Sequence, residues 1–353
     1  MLRRSQDPSW TEVIPTRAIV LASHGGPEVL RISEAPDPVP GPSDVLVVVR
    51  AAGVNRADLA QREGHYPPPG PPVRHEIPGL EFAGTVRSVG SQVQRHRVGD
   101  RVFGLLPGGG YAEAVATHER LAMPTPAGLS DEEAAALPEA FLTAFDALFS
   151  QAGLRPGESL LVHAIGSGVG TAALQLGRWA GATVYGTARS PKKCRQAMAM
   201  GAALAVPTGE GAGDFVAALE AARGGRGIDV ILDLVGGSYL AANLAALGPL
   251  GRMVTLATVG GRRAEVDLGL VMAKRLHLTG SGLRGRGVEE KIALTQAFER
   301  QALPAVAPGG ADGATTGLHA VLDRVLPWTE AAQAHRILDA GQAFGKMVLR
   351  VDG

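Results

Sequence analysis

Apolar and polar positions alternate in two different rhythms along the 353 residues. Up to about Leu137, short Val, Ile, Thr and Ala runs are bounded by Gly, Pro and Asp: "TRAIVLASHGG", "SDVLVVVRAAGV", "EFAGTVRSVG", "VGDRVFGLL" and "YAEAVATHERLAMP". Runs of this kind are β signals, and together they predict a mostly β unit. From about Glu139, strand-like runs alternate with helical patterns: "SLLVHAI" with "GTAALQLGRWAGA", "TVYGTA" with "SPKKCRQAMAMGA", "ALAV" with "DFVAALEAARG", "DVILDLVG" with "SYLAANLAAL", and then "GRMVTLA". That alternation predicts crossover helices on both faces of a parallel sheet. "PAVAPGGADGATTGL" interrupts the series and reads as a flexible surface loop. The last stretch, "VLDRVLPWTEAAQAHRILDAGQAFGKMVLRV", returns to a helix and a strand. The expected architecture is α/β: a doubly wound parallel sheet over residues 138–319, inserted in a mostly β domain built from residues 1–137 and 320–353.

Composition narrows the function. The length exceeds that at which single cores stop growing, which agrees with two domains. Lys+Arg of 34 against Asp+Glu of 34 leaves no net charge, so neither a nucleic acid nor a membrane surface is an expected partner. A single cysteine, Cys194, rules out an internal disulfide framework and suits a reducing cytoplasm. The opening residues carry no apolar core of signal-peptide length, so a cytoplasmic location is expected. Ser159 to Gly177 has no formal charge and is long enough to be tested as a membrane span. Its opening "SLLVHAIG" and its glycines read instead as strand, turn and helix.

The turn in that stretch is the main candidate for chemistry. In "VHAIGSGVGTAALQLG", Gly166, Gly168 and Gly170 let the chain reverse, bring backbone N–H groups near a pyrophosphate and pack the next helix closely. The literal G-x-G-x-x-G spacing is not met, so alone the turn fits a cofactor loop or a simple tight βα turn. The surrounding β/α series favours the cofactor. At the end of the second strand, a dinucleotide site for NAD places an acid, whereas "VYGTARSPKKCRQ" offers Arg189, Ser190, Lys192 and Lys193. Those cations suit a 2′-phosphate, and NADPH is the expected cofactor. A basic, solvated first helical turn is the bland alternative.

With these parts in view, the chain resembles the medium-chain dehydrogenases/reductases. Within them it is similar to the zinc-independent quinone oxidoreductases that include zeta-crystallin, and to their tumour-suppressor-inducible branch. The supporting stretches are "AAGVNRADLAQREGHYPPPG", "PGLEFAGTV", "LLPGGGYAEAV", "LPEAFLTAFDALF", "HAIGSGVGTAALQL", "ILDLVGGSYL" and "GKMVL". The resemblance implies that the β part is GroES-like and the inserted part a Rossmann domain. It also implies that a small quinone accepts a hydride from NADPH in the cleft between them, in a homodimer. An enoyl or 2-alkenal reductase is the rival enzyme, and a nucleotide-binding protein without catalysis is a third reading.

Zinc-dependent relatives carry Gly-His-Glu where this chain has Gly79, Leu80 and Glu81, and a cysteine where it has Asn55. An Asn/Leu pair is a poor zinc donor set, so no metal is expected. His75 and Glu76 fall outside the ligand register and read as exposed loop residues. Glu81 is then a structural acid, held by hydrogen bonds or an arginine. The resemblance assigns hydrogen bonding to the acceptor to Tyr66 and Asn55, and a structural role to Asp58. It assigns Thr143 to the nicotinamide end, Gly168 and Val169 to the pyrophosphate and Lys193 to the 2′-phosphate, where Gly166, Ser167 and Gly170 of the turn and Arg189 and Ser190 of the strand end complete the expected cofactor site. Leu283 and Lys346 belong to segments that close on the cofactor. Thr208 stands where some relatives have a tyrosine.

Overall fold

The computed structural model describes residues 16–70, 76–209, 215–309 and 317–352. The opening residues, His75 and the middle of the 304–318 segment lie outside the described residues.

In chain order the first part comprises β1 (Thr16–Leu21), β2 (Leu30–Ala35), β3 (Asp44–Val54), α1 (Arg56–Arg62), β4 (Glu81–Val89), β5 (Arg101–Leu105), β6 (Ala114–His118), β7 (Ala122–Pro124) and α2 (Asp131–Ala135). Next come α3 (Pro138–Phe145), β8 (Ser159–Val162), α4 (Gly168–Trp179), β9 (Thr183–Ala188), α5 (Pro191–Ala199), β10 (Leu204–Pro207), α6 (Phe215–Arg223) and β11 (Ile228–Asp233). The chain closes with α7 (Leu240–Ala246), β12 (Leu247–Thr255), α8 (Leu268–Lys274), β13 (His277–Gly280), α9 (Val288–Gln301), β14 (Leu322–Pro327), α10 (Ala331–Asp339) and β15 (Lys346–Arg350).

The strands form two main sheets. One has the order β10-β9-β8-β11-β12-β13, every pair parallel. Counting from β8, the order is that of a dinucleotide-binding sheet, with its switch point between β8 and β11. Its strands are apolar on both faces because helices cover both; β8 is buried throughout. The other sheet runs β14-β15-β3-β4-β5-β7, with β6 also on β3, and is antiparallel except for β14 with β15. This is the GroES-like sheet, and the late strands β14 and β15 rejoin it through β3.

Ser159 to Gly177 folds as strand, turn and helix, and no described helix is long and apolar enough to cross a membrane. The 304–318 segment departs from a plain surface loop at its ends. Val306 pairs with Leu318, and Leu303 and Leu318 are buried in the core. α3 runs on into a π-helical turn, Asp146–Gln151. Asp146 is anchored there by Arg286 at 3.0 and 2.6 Å and by the Ser281 hydroxyl at 3.0 Å.

Candidate active site

Glu81 opens β4 with no exposed surface, so its charge must be answered locally. The partner is a lysine, not an arginine. Lys346 Nζ sits 2.5 Å from Glu81 Oε1, 2.5 Å from Asn55 Oδ1 and 3.1 Å from the Val54 carbonyl. Asn55 Nδ2 donates to Glu81 Oε1 at 2.7 Å, and the Glu139 N–H donates to Oε2 at 2.7 Å. Both carboxylate oxygens are therefore engaged. Asn55 also caps α1 together with Asp58, whose Oδ2 accepts the Asn55 N–H at 2.8 Å. Asp58 further accepts the Gly79 N–H at 3.1 Å and the Tyr111 hydroxyl at 3.1 Å. Burial pushes its carboxyl up to about 6 against these hydrogen bonds.

Zinc does not fit this place. Leu80 is buried in the core, the one carboxylate is already neutralised by an ammonium, and the sole cysteine lies buried in α5. Among the described residues no group of three or more His, Cys, Asp or Glu side chains could hold a metal.

The glycine turn follows β8 and leads into α4. His163, fully buried, lies 2.8 Å from Thr187 Oγ1 and 2.6 Å from Asn243 Oδ1, tying the ends of three β/α units together. Ser167 caps α4 by accepting the Gly170 N–H at 3.0 Å. A Cβ on Gly170 would strike the Ala164 carbonyl, so this glycine serves close packing of helix on strand. A Cβ on Gly168 would lie 2.5 Å from Lys346 Cδ. The loop is thus packed against the tail: Gly345 donates to the Gly166 carbonyl at 2.9 Å, and Gly345 pairs with Ser167. Lys346 meets this turn with its stem, its ammonium being turned to Glu81. Val169, in the first turn of α4, packs against the core.

Arg189 and Lys193 lie beside one another after β9. Arg189 has no hydrogen bond or ion pair among the described residues, and its guanidinium rests against Gly341. Lys193 donates to the Gly341 carbonyl at 2.6 Å; burial and the neighbouring Arg189 push its pKa down. Ser190 caps α5. Thr208 accepts a hydrogen bond from the Tyr239 hydroxyl at 2.7 Å, so a phenol from another element reaches the place of the missing tyrosine.

On the opposite wall, Thr143 presents a buried hydroxyl without a partner, an orphan that a ligand amide could satisfy. Tyr66 is 37% exposed, with its ring 5.0 Å from the Arg284 guanidinium, which lies over it. Burial and Glu139 push its pKa up, so the phenol stays protonated. Leu283 is buried in the core; its neighbour Arg284 reaches across from the parallel-sheet side. Arg284 donates to Pro107 O at 2.8 Å, Tyr66 O at 2.8 Å and Gln61 Oε1 at 2.6 Å. Glu76 is partly buried and accepts from Gln61 at 3.0 Å.

Arg284 and Glu139 are the residues that sequence reasoning missed. Nothing in the spacing marks Arg284. Glu139 had a signal: Glu139, Thr143 and Asp146 form a polar stripe at helical spacing in an otherwise apolar stretch.

Comparison with known proteins agrees with this geometry. A model of the alcohol dehydrogenase GroES-like domain matches residues 41–127, and one described as zinc-binding dehydrogenase matches residues 168–299. The crystal structure of an NAD-dependent alcohol dehydrogenase aligns at 31% identity and a TM-score of 0.79, over 95% of this chain and 100% of that one. The chain belongs to the medium-chain dehydrogenase/reductase superfamily. This is a class of NAD(P)-dependent oxidoreductases acting on small molecules. A quinone oxidoreductase of Pseudomonas syringae pv. Tomato DC3000 is 28% identical with a TM-score of 0.80, covering 95% of this chain and 100% of the other. A mycobacterial member solved with NADPH covers 95% and 100%, and the CurK enoyl reductase 96% and 99%; both are 28% identical with a TM-score of 0.81. The synaptic vesicle membrane protein VAT-1 homolog of Rattus norvegicus is 38% identical over 229 residues, 64% of this chain and 55% of its own. The chain thus spans about half the length of the curated relatives it matches.

Proposed function

We propose that this medium-chain dehydrogenase/reductase transfers a hydride from NADPH to a small quinone, without zinc. The observation that carries the reading is the Lys346 ammonium lodged on Glu81 and Asn55, where zinc-dependent relatives build their metal site. A site without a Lewis acid cannot strongly polarise an alcohol or an ordinary carbonyl. A quinone is electrophilic enough to accept hydride once it is held against the nicotinamide, so positioning and exclusion of water are the protein's main task. Likeness to a quinone oxidoreductase over nearly the whole chain adds support.

The chain's residues suit NADPH. Arg189 and Lys193 repel one another, only partly offset by Asp323, and among the described residues neither forms an ion pair; a 2′-phosphate would relieve the repulsion. The Gly166–Gly170 turn and the start of α4 suit the pyrophosphate, and the Thr143 hydroxyl suits the carboxamide. The solved relative with NADPH favours the same cofactor. Tyr66, protonated and at the cleft, supplies a hydrogen bond to the oxygen on which charge develops. Asn55 is engaged with Glu81 and Lys346, so its part is to fix α1 behind Tyr66 rather than to meet the acceptor.

Reduction of an activated C=C bond is the second reading, favoured by the equal likeness to an enoyl reductase. The test is NADPH consumption by chelator-treated protein with a small ortho-quinone and a 2-alkenal in parallel. Turnover of the quinone, with a loss of about 10²-fold in Tyr66→Phe, is the expected result. Turnover of the alkenal alone transfers the assignment to C=C reduction. Activity abolished by chelation and restored by zinc sinks the metal-free reading.

A further inference from the structure

Helix α3 runs between the two sheets, and six of its eight residues are buried. The two that are not are Glu139 and Thr143, four positions apart and therefore on one face, one turn from each other. Thr143 carries the orphan hydroxyl assigned above to the cofactor. The Glu139 backbone is fixed, because its N–H is bound to Glu81. Its carboxyl is not: no hydrogen bond or ion pair to a described residue engages it. A half-buried acid without a partner, one helical turn from a cofactor contact, is costly to keep unless it is used.

We propose that Glu139 is the general acid of this site, touching the acceptor beside Tyr66 and handing it a proton. The proposal rests on the NADPH-dependent reduction assigned above.

Charged and titratable groups from every side act on Glu139: Asp58 of α1, Glu81 of β4, Lys346 of β15, Arg284 after β13, Lys291 of α9, and Tyr66. Burial, followed by the Glu81 carboxylate, outweighs the cations and pushes Glu139 up to about 8. It therefore holds a proton at neutral pH and can release it near that pH, which suits a general acid. The neighbours do not. Tyr66 is shifted further up and gives only a hydrogen bond. Asp58 faces inward, saturated by Asn55, Gly79 and Tyr111.

NADPH, when bound, would supply the hydride, which is two electrons and one hydrogen nucleus, and would itself be oxidised to NADP⁺. The quinone is thereby reduced to a hydroquinone anion. Glu139 then donates: its carboxyl O–H breaks, an O–H forms on the hydroquinone oxygen, and the Glu139 carboxylate takes up a proton from solvent before the next cycle. Tyr66 keeps its proton throughout.

The experiment uses the full chain with Glu139→Gln, of the same shape and with the same backbone bond to Glu81, and Glu139→Asp as the conservative variant. Infrared spectroscopy of the protein without acceptor reads the protonated-carboxyl band against pH. The expected result is a band that titrates near pH 8 in the parent chain and is missing in Glu139→Gln. Kinetics then show kcat lowered by about 10²–10⁴-fold in Glu139→Gln, with the alkaline limb of the kcat/KM profile gone. NADPH binding by fluorescence stays unchanged, and Glu139→Asp recovers part of the rate. A missing band in a parent chain that does reduce quinone overturns the role of Glu139 and leaves the reductase reading standing. A titrating band in a chain that reduces neither quinone nor alkenal overturns the reaction, and Glu139's part in it. Glu139→Gln with the parent pH profile also overturns the proposal.

Discussion

Lys346 and Glu81, 265 residues apart, meet at 2.5 Å with almost no surface exposed to water. Removing one partner of such a pair leaves a buried charge with nothing to answer it. Lys346→Met should therefore destabilise the protein by about 3–5 kcal/mol, and the double change with Glu81→Gln should recover much of that loss. Urea unfolding of the two single variants and the double variant measures the coupling.

Arg189 and Lys193 set the second expectation. Replacing both by Ala should raise the Kd for NADPH by roughly 10- to 100-fold while leaving the binding of NADH nearly unchanged. Fluorescence titration with each nucleotide reads the ratio. Equal losses for both nucleotides would mean that the cations do not meet the 2′-phosphate.

Arg284 bridges from the parallel-sheet side to Gln61, Tyr66 and Pro107. Arg284→Ala leaves these acceptors without their donor and frees the Tyr66 segment. A loss of about 1–3 kcal/mol in stability and a raised KM for the acceptor are expected, with NADPH affinity held. Unfolding and steady-state kinetics check the two halves of this prediction.

Stability against pH carries two opposed signatures. Burial pushes His335 down to about 3. Between that value and the unfolded value of about 6.5 the unfolded chain binds the extra proton, so this contribution is whole above about 6.5 and is lost as pH falls toward 3. Glu139 does the reverse, being raised to about 8 from an ordinary 4.5. Its contribution is whole below 4.5 and is lost as pH rises through 8, with a slope of at most about 1.4 kcal/mol per pH unit. Urea midpoints across that range should show Glu139→Gln gaining on the parent chain as pH rises.

The parallel sheet ends in the unpaired edge strand β13, and α8 beside it exposes Leu268 at 68% and Met272 at 76%. Apolar side chains next to an open edge invite a second copy of the chain. A homodimer is expected in sedimentation velocity, with Leu268→Glu and Met272→Glu together shifting it to monomer.

The sheets were legible because period decides them: a change from two-residue alternation to β/α units at about Glu139 separates one sheet from the other. The strand–turn–helix at Gly166–Gly170 was legible because its glycines mark where the chain reverses and where a helix can pack closely on a strand. The Lys346–Glu81 pair and the Arg284 bridge were not. Each joins residues 177 or more positions apart, and no local pattern encodes which distant acid a lysine will find. For Glu81 the need for a partner was readable, but not its identity. Glu139 lies between these cases: its stripe with Thr143 is local, whereas its protonation depends on Glu81, brought in by β4.

The contact of Gly345 with Gly166 and that of Arg284 with Gln61 fasten the two sheets at separate places. Between them run further ties: Lys193 to Gly341, Arg95 to Glu299, Arg120 to Glu289 and the Glu139 N–H to Glu81. A seam stitched at so many places cannot widen at one end alone without giving up several bonds together.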